Sequence, residues 1–301
     1  FVVIHSNARI PGSKEKTIQV QVCTLTVPTI EQDLLKRDFT INACALDHEF
    51  KFSCEKAEVF YHHIVANKPL QCPGSPLHMF KDDPIRILRM YRFSQALGLE
   101  IETSVRQAAR DISPFLRVCA KERVLAELIK IMQGKNTSQI LRMMMEDGVL
   151  QQIIPELAPQ VGWNQESTVC PKPLWEHTLA IVNKAQEVRG SWTTQLAALL
   201  SNVGKPFCYQ RMYVCSGCSK VLYTSHNESP SIECSVCHHR VTEDIKFVCS
   251  GKVYKGLMQT NCEISSKILN RLGFSNDDKK FILTLVSGYE FYNSVEDWDE
   301  A

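Results

Sequence analysis

Four of the thirteen cysteines stand in two Cys-x-x-Cys pairs, Cys215 with Cys218 and Cys234 with Cys237, with fifteen residues between the pairs. Thiolates at this spacing can converge tetrahedrally on one zinc ion, and four sulfurs leave it no open position, so such a site holds structure and does no catalysis. Reduced, unliganded thiols or a redox pair are the alternatives. The β-forming residues Val221, Leu222, Tyr223 and Ile232 fit a zinc ribbon over residues 211–249. His238, His239 and Arg240 beside the second pair are either phosphate or RNA contacts or simply solvated side chains. A different chemistry gathers in Asp33-Leu34-Leu35-Lys36-Arg37-Asp38-Phe39-Thr40-Ile41-Asn42-Ala43. Two cations, a carboxylate and an amide beside an apolar Phe-x-Ile pair suit the phosphates and ribose hydroxyls of a nucleotide.

A second charged stretch runs Phe80-Lys81-Asp82-Asp83-Pro84-Ile85-Arg86-Ile87-Leu88-Arg89-Met90-Tyr91-Arg92-Phe93. Acids ahead of a proline mark a helix start, because carboxylates complement the exposed N–H groups there and proline has no N–H to lose. Arg86, Arg89 and Arg92 then repeat every third residue along one side. Asp83 and Arg86, three positions apart, can together read the edge of a base, the acid accepting from an exocyclic amine and the guanidinium donating to ring acceptors. The plainer alternative is that Asp83 caps a helix and that Arg37 and Asp38 form a surface ion pair.

These segments need a frame. Alternation in Phe1-Val2-Val3-Ile4 and in Ile18 to Cys23, either side of the turn-like Pro11-Gly12-Ser13, predicts a pair of strands. Helical periodicity begins at Ile30. A loop at Pro73-Gly74-Ser75-Pro76 precedes residues 83–160, predicted to be helical almost throughout from Ile85, Leu88, Phe93, Ile129, Leu141 and Leu150. Two more helical blocks are expected, Trp175 to Leu200 and Glu263 to about Ser287, flanking the cysteine-rich insert. The 301 residues are 44% hydrophobic and 22% charged, a globular composition with length for about two domains. A net charge of +1 requires any nucleic-acid contact to come from a local basic patch. The longest apolar runs, Leu196 to Leu200 and Phe281 to Val286, fall far short of the roughly 20 residues of a membrane helix. An odd number of cysteines, most of them single among apolar neighbours, points to a reducing intracellular compartment.

In order along the chain, DLLKRDFTINA (Asp33 to Ala43), DDPIRILRMYRF (Asp82 to Phe93) and the segment from Ala120-Lys121-Glu122-Arg123 to Lys130-Ile131 resemble the class II tRNA nucleotidyltransferases and bacterial poly(A) polymerases. The family motifs there are DLxRRDFTINA, EDPLRILRxxRF and KERI…EL.KIL, and looser similarity runs from Val20 to about Glu156. The resemblance implies an α+β, mostly α-helical fold. It would comprise a partial nucleotidyltransferase head over 1–78, an RNA-binding helical neck and body over 79–160 and a degenerate HD-like helical domain over 161–301 that carries the ribbon. It implies that Arg37 contacts phosphate, Asp38 ribose, and Asn42 the same nucleotide site, and that Asp83 with Arg86 selects the base. Arg86, Arg89, Arg92 and Arg123 then face RNA, either tRNA or rRNA.

Nucleotidyl transfer needs carboxylates that hold two magnesium ions. The family supplies them from a GGxVRD turn and a DxD pair, neither of which occurs ahead of Lys36. In the strand that follows, Gln21 replaces an acid and a threonine replaces the arginine; the link from Thr26 to Asp33 is short, and the DPFGGxxDL segment is unrecognisable around Phe52 to Glu58. Farther on, Leu174-Trp175-Glu176-His177-Thr178-Leu179 and Leu196 to Pro206 resemble the family's HD domain, WEHTL…LAALLHDIGKP. Here Ser201-Asn202 replaces the His-Asp pair and only His177 of the metal-binding histidines remains, which suits a packed or surface histidine. The expectation is therefore a catalytically degenerate relative with structural zinc. It would serve as an RNA-binding component of a larger ribonucleoprotein, for instance an organellar and so mitochondrial ribosome, with protein subunits docking on the ribbon. The alternative is an active CCA-adding or A-adding enzyme, using magnesium, whose metal-binding strands precede Phe1; the chain does not begin with Met and is either processed or missing its start. A purely protein-binding module would show no RNA affinity.

Overall fold

A computed structural model describes residues 2–8, 18–22, 27–165, 172–225, 237–238 and 247–288. They fall into two compact units, one drawn from residues 1–79 and 99–105 and the other from 80–98 and 106–301. Among the described residues, no helix is long and apolar enough to cross a membrane.

In the first unit the predicted strands form an antiparallel pair, β1 (Val2–Ala8) and β2 (Ile18–Val22), with Val2 opposite Val22 and Ile4 opposite Val20. Helix α1 (Ile30–Leu35) starts where the Thr29 hydroxyl accepts the Gln32 N–H, which satisfies one of the unpaired donors of the first turn. A 3-10 turn over Thr40–Asn42 and helix α2 (Glu55–Val65) follow. The core is small: Leu34, Ala43, Ala57 and Phe60, with Ile30, Ala45, Phe52 and Cys54 packed around it. Leu70 is fully buried and pairs by backbone with the segment near Ile101, its N–H donating to Glu100 O at 2.7 Å. Helix α3 (Pro76–Asp82) crosses the division between the units in sequence.

The second unit is helical, with one sheet. Helices α4 (Ile85–Leu97), α5 (Thr103–Ile112), α6 (Lys121–Met132), α7 (Thr137–Glu146) and the short α8 (Leu150–Ile153) alternate with 3-10 turns at Ser113–Val118 and Pro155–Gln160. They bury Ile87, Leu88, Met90, Leu128, Ile131, Leu141 and Met144; of the positions anticipated from the apolar spacing, Ile85, Leu88, Leu141 and Leu150 are buried, while Phe93 and Ile129 are half-buried. Next come α9 (Leu174–Glu187), α10 (Trp192–Leu200) and α11 (Lys205–Cys208). Strands β3 (Tyr209–Cys215), β4 (Val221–Ser225) and β5 (Phe247–Tyr254) form an antiparallel sheet of order β4-β3-β5. Helices α12 (Leu257–Leu272) and α13 (Asn276–Ser287) close the described chain. Helix α10 is buried from Gln195 to Leu200 on every face, and it touches α6, α9 and α13. A helix that is apolar all round is a core helix, each fully buried Leu contributing about 1.5–3 kcal/mol.

Two predicted blocks each divide in two. The block from Trp175 to Leu200 breaks where Arg189 adopts a left-handed φ of 57° and Gly190 follows. A Cβ on Gly190 would stand 2.7 Å from Ala185 O, so only glycine permits that return. The last block begins at Leu257, six residues before Glu263, and Gly273 (φ 80°) ends α12. Ser275 then caps α13, its Oγ accepting the Asp278 N–H at 3.1 Å.

At the end of α7 the Asp147 side chain is fully buried and anchors three residues. It accepts the Tyr91 hydroxyl of α4 at 2.8 Å, Arg106 Nε at 2.7 Å and Arg110 at 2.7 Å, both arginines from α5. Burial, and then the charge and hydrogen bond of Asp147, push the Tyr91 pKa well above the usual tyrosine value, so Tyr91 is a fixed donor at physiological pH. Removing one partner from a buried charged cluster leaves the others uncompensated. Because Arg106 and Arg110 reach water once Asp147 is gone, Asp147→Ala is expected to destabilise the helical unit by about 1–3 kcal/mol, and Tyr91→Phe by about 1–2 kcal/mol, both read from the urea midpoint of helical circular dichroism. Equal midpoints for Asp147→Ala and the native protein would contradict this assignment.

Candidate nucleotide, RNA and metal sites

In the first unit the candidate nucleotide contacts Asp38 and Asn42 flank Phe39, whose ring is fully buried and fixes the turn that carries them. Asp38 is 6% exposed, and its Oδ1 accepts the Phe39 N–H at 2.9 Å and Asn42 Nδ2–H at 3.0 Å. The Thr40 N–H donates to Gln71 O at 2.9 Å and ties down the same turn. Arg37 points outward and clasps Asp33 one turn back, with Nη2 at 2.6 Å from Oδ2. Arg37 thus pairs with Asp33, while Asp38 is turned inward onto Asn42. An exposed cation next to a fixed carboxylate–amide pair can meet an anionic, hydroxyl-bearing ligand.

In the second unit Asp83 is both a cap and an ion-pair partner. Its Oδ1 accepts the Ile85 N–H at 3.3 Å and its Oδ2 accepts Arg123 Nη2 at 2.6 Å, which joins the start of α4 to α6. The three α4 arginines are half-buried and differ from one another. Arg92 Nε donates to Glu127 at 2.7 Å, and its guanidinium lies 4.1 Å from the Phe93 ring centre, which Arg89 approaches at 5.5 Å. Burial alone would raise the pKa of Glu127, but Lys130 and Arg92 hold it below the usual carboxylate range. Among the RNA-contact candidates, Arg92 and Arg123 are therefore engaged with carboxylates. The sequence reading missed Arg106 and Arg110, which reach the surface while anchored on Asp147. The one available signal was their four-residue spacing, and it does not name the acid, 41 residues from Arg106 and 37 from Arg110.

The HD-like positions are neutral and sealed. Ser201 and Asn202, in the turn after α10, are 3% and 0% exposed. Ser201 Oγ donates to Ala198 O at 2.8 Å and accepts Asn202 Nδ2–H at 3.2 Å, while Asn202 Oδ1 is buried without a hydrogen-bond partner. Asn261 of α12 clamps the turn, Nδ2 donating to Ser201 O and Oδ1 accepting the Gly204 N–H at 2.7 Å. A Cβ on Gly204 would fall 2.8 Å from Asn261 Oδ1, so the approach requires glycine. A hydroxyl and an amide give a divalent cation no anionic ligand here. His177 on α9 is half-buried, and burial, then Lys205 and Lys172, lower its pKa to about 4.

The sulfurs of Cys215, Cys218 and Cys237 lie within 4.8 Å of one another, with Cys215 and Cys237 at 3.9 Å. Two thiolates on a tetrahedral ion at ~2.3 Å stand about 3.8 Å apart, so the spacing fits a thiolate-bound metal. The knuckle is made by a tight turn in which Ser219, with φ 59°, donates to Cys215 O at 2.8 Å and Cys215 donates to Lys220 O at 3.0 Å. Cys234, with Ile232, His239 and Arg240, lies outside the described residues; His238 is exposed.

Residues 98–161 match a family model described as the probable RNA and SrmB-binding site of polymerase A. The multifunctional CCA protein of Neisseria gonorrhoeae is 32% identical over 186 residues, 59% of this chain and 42% of that protein. Poly(A) polymerase I of Haemophilus influenzae is 28% identical over 168 residues, 56% of this chain and 37% of that protein. This chain thus spans less than half the length of these relatives. A solved structure described as a tRNA-processing enzyme in an apo form aligns with 91% of this chain and 61% of its own, at a TM-score of 0.50 and 15% identity, a likeness of fold.

His177 yields a pH test. Its folded pKa of about 4 lies below the ordinary 6.5, so the unfolded chain takes up a proton between these values that the folded chain refuses. Its contribution to stability is complete above pH 6.5 and is lost as pH falls toward 4. His177→Gln is expected to flatten the stability profile across that window, measured as urea midpoints of variant and native protein. Parallel profiles would contradict the assignment. Glu156 and Glu176, which their arginine partners hold below the usual range, lose stability at lower pH in both proteins alike.

Proposed function

From its relationship, over the matched segments, to the tRNA nucleotidyltransferase and poly(A) polymerase family, we propose that this chain is an RNA-binding protein that keeps the family's helical grip and has lost its chemistry. It would act as a component of a larger ribonucleoprotein, in a reducing compartment such as the mitochondrion. One observation carries the reading: where the HD-like segment would need an acid, it holds an amide sealed in the core, Asn202. The base-selecting position supports it, since Asp83 is already engaged by Arg123 and by a backbone N–H. RNA, either tRNA or rRNA, would meet the surface of residues 80–160. Arg86 and Arg89 and the Asp147-anchored pair Arg106 and Arg110 would contact phosphates, while Arg92 serves the fold through Glu127.

Zinc at Cys215, Cys218, Cys234 and Cys237 would be closed and structural, and would form a ribbon that offers a contact surface to protein subunits. A second reading, an active CCA-adding or A-adding enzyme that uses magnesium held by residues before Phe1, is favoured by one feature. Asp38 is fixed by Asn42 and by the Phe39 N–H, in an order that a surface ion pair does not require.

Arg86→Ala with Arg89→Ala is expected to weaken binding of a tRNA about five- to tenfold at moderate salt. It should also reduce the slope of log affinity against log salt by about 1–2, since each lost phosphate contact removes about 0.9. Unchanged affinity and slope would remove α4 from the RNA face. Cys215→Ser is expected to abolish bound zinc, measured by mass spectrometry of the native protein, and to leave the helical circular dichroism intact. Retained zinc would contradict the metal site.

A further inference from the structure

Distant parts of the second unit meet on one face of the β3–β5 ribbon. In the antiparallel register Tyr209 stands opposite Tyr254, and Arg211 opposite Lys252. Residues two apart on a strand share a face, so these four side chains form two rows, one aromatic and one cationic. Trp163 packs edge-on against Tyr209, with ring centres 4.8 Å apart. Lys252 Nζ lies 4.6 Å from the Trp163 ring centre and donates to Asn164 O at 2.7 Å. Lys205, at the start of α11, lies 5.4 Å from the Tyr254 ring centre and donates to Gln165 Oε1 at 2.8 Å. Two lysine heads are thereby fixed over aromatic rings by backbone and amide oxygens. The indole N–H of Trp163 is buried beside them without an acceptor, an arrangement that costs about 1–3 kcal/mol unless a ligand supplies an oxygen.

Positioned cations interleaved with aromatic rings are what a single-stranded nucleic acid needs, phosphates to the cations and bases to the rings. We propose that this face, formed by Trp163, Lys205, Arg211, Lys252 and Tyr254, binds the phosphate ester of a nucleotide. The ester belongs either to an RNA strand or to a free mononucleotide. The site is separate from the α4–α5 surface and stands whether or not that surface binds tRNA. It gives the sheet a role of its own, since the chain would grip RNA at a second place.

The test uses the full zinc-loaded chain and three probes: a labelled octauridylate, AMP and inorganic phosphate. Lys205→Gln with Lys252→Gln is expected to weaken octauridylate binding about tenfold. It should lower the salt slope by about 1.4, two contacts at about 0.7 each for a single strand. Lys205→Arg with Lys252→Arg should restore both, which separates lost charge from lost folding. Competition by AMP or phosphate at concentrations near that of the strand assigns the ligand to the free nucleotide. Competition only at large excess assigns it to a strand. With Arg86→Ala and Arg89→Ala also in place, the Gln variants should still lower octauridylate affinity by the same factor, which assigns that loss to the sheet face and not to α4. Equal affinity and slope in native and Gln variants for all three probes would overturn this site, and would leave the α4 reading to stand or fall on its own tRNA measurement.

Discussion

Asp147 closes α7 with a carboxylate withdrawn from water, and it holds α4 and α5 to that helix through Tyr91, Arg106 and Arg110. A buried charge of this kind persists only where partners surround it, and each partner is in turn fixed by it. The consequence reaches the surface. Arg106 and Arg110 are 30% and 43% exposed, so the interaction that stabilises the helical unit also presents two immobilised guanidinium groups outward. An arginine already ordered loses less conformational freedom when it meets a phosphate. Glu127 repeats the device on α6, where it orders Arg92 and Lys130.

Acids in this unit therefore act mainly to position cations. Asp83 holds Arg123, Glu156 holds Arg271, and Glu176 holds Arg142 across helices. Where the resembled HD motif would place an acid for metal, the core instead closes over Ser201, Asn202 and Asn261 with neutral hydrogen bonds. The charges that act on His177 are those of Lys205 and Lys172. Lys205 is shared with the aromatic and cationic face of the sheet, where it lies over the Tyr254 ring.

Much of this was legible from spacing. The strand pair, the helices of 83–160 and the Cys215–Cys218 knuckle are local patterns, set by side-chain period and by ligand separation. The Asp38–Asn42 turn was visible as a motif, though not the inward direction of Asp38, which depends on Phe39 filling the core. Divisions within helical blocks were missed because they hang on single residues, Gly190 and Gly273, whose neighbours carry ordinary helical propensity. Least visible were the long-range partners. Asp147 lies 56 residues from Tyr91, and Trp163, Lys205 and Lys252 come together only through the packing of three separate segments.

The most direct test of the central claim is nucleotide addition by the native protein to a tRNA lacking its 3′ end, with magnesium and labelled CTP or ATP, beside a binding measurement on the same tRNA. A protein that has kept its grip and lost its chemistry binds the tRNA and incorporates no label. Incorporation that depends on Asp83 and Arg86 would contradict the account and establish the active enzyme in its place.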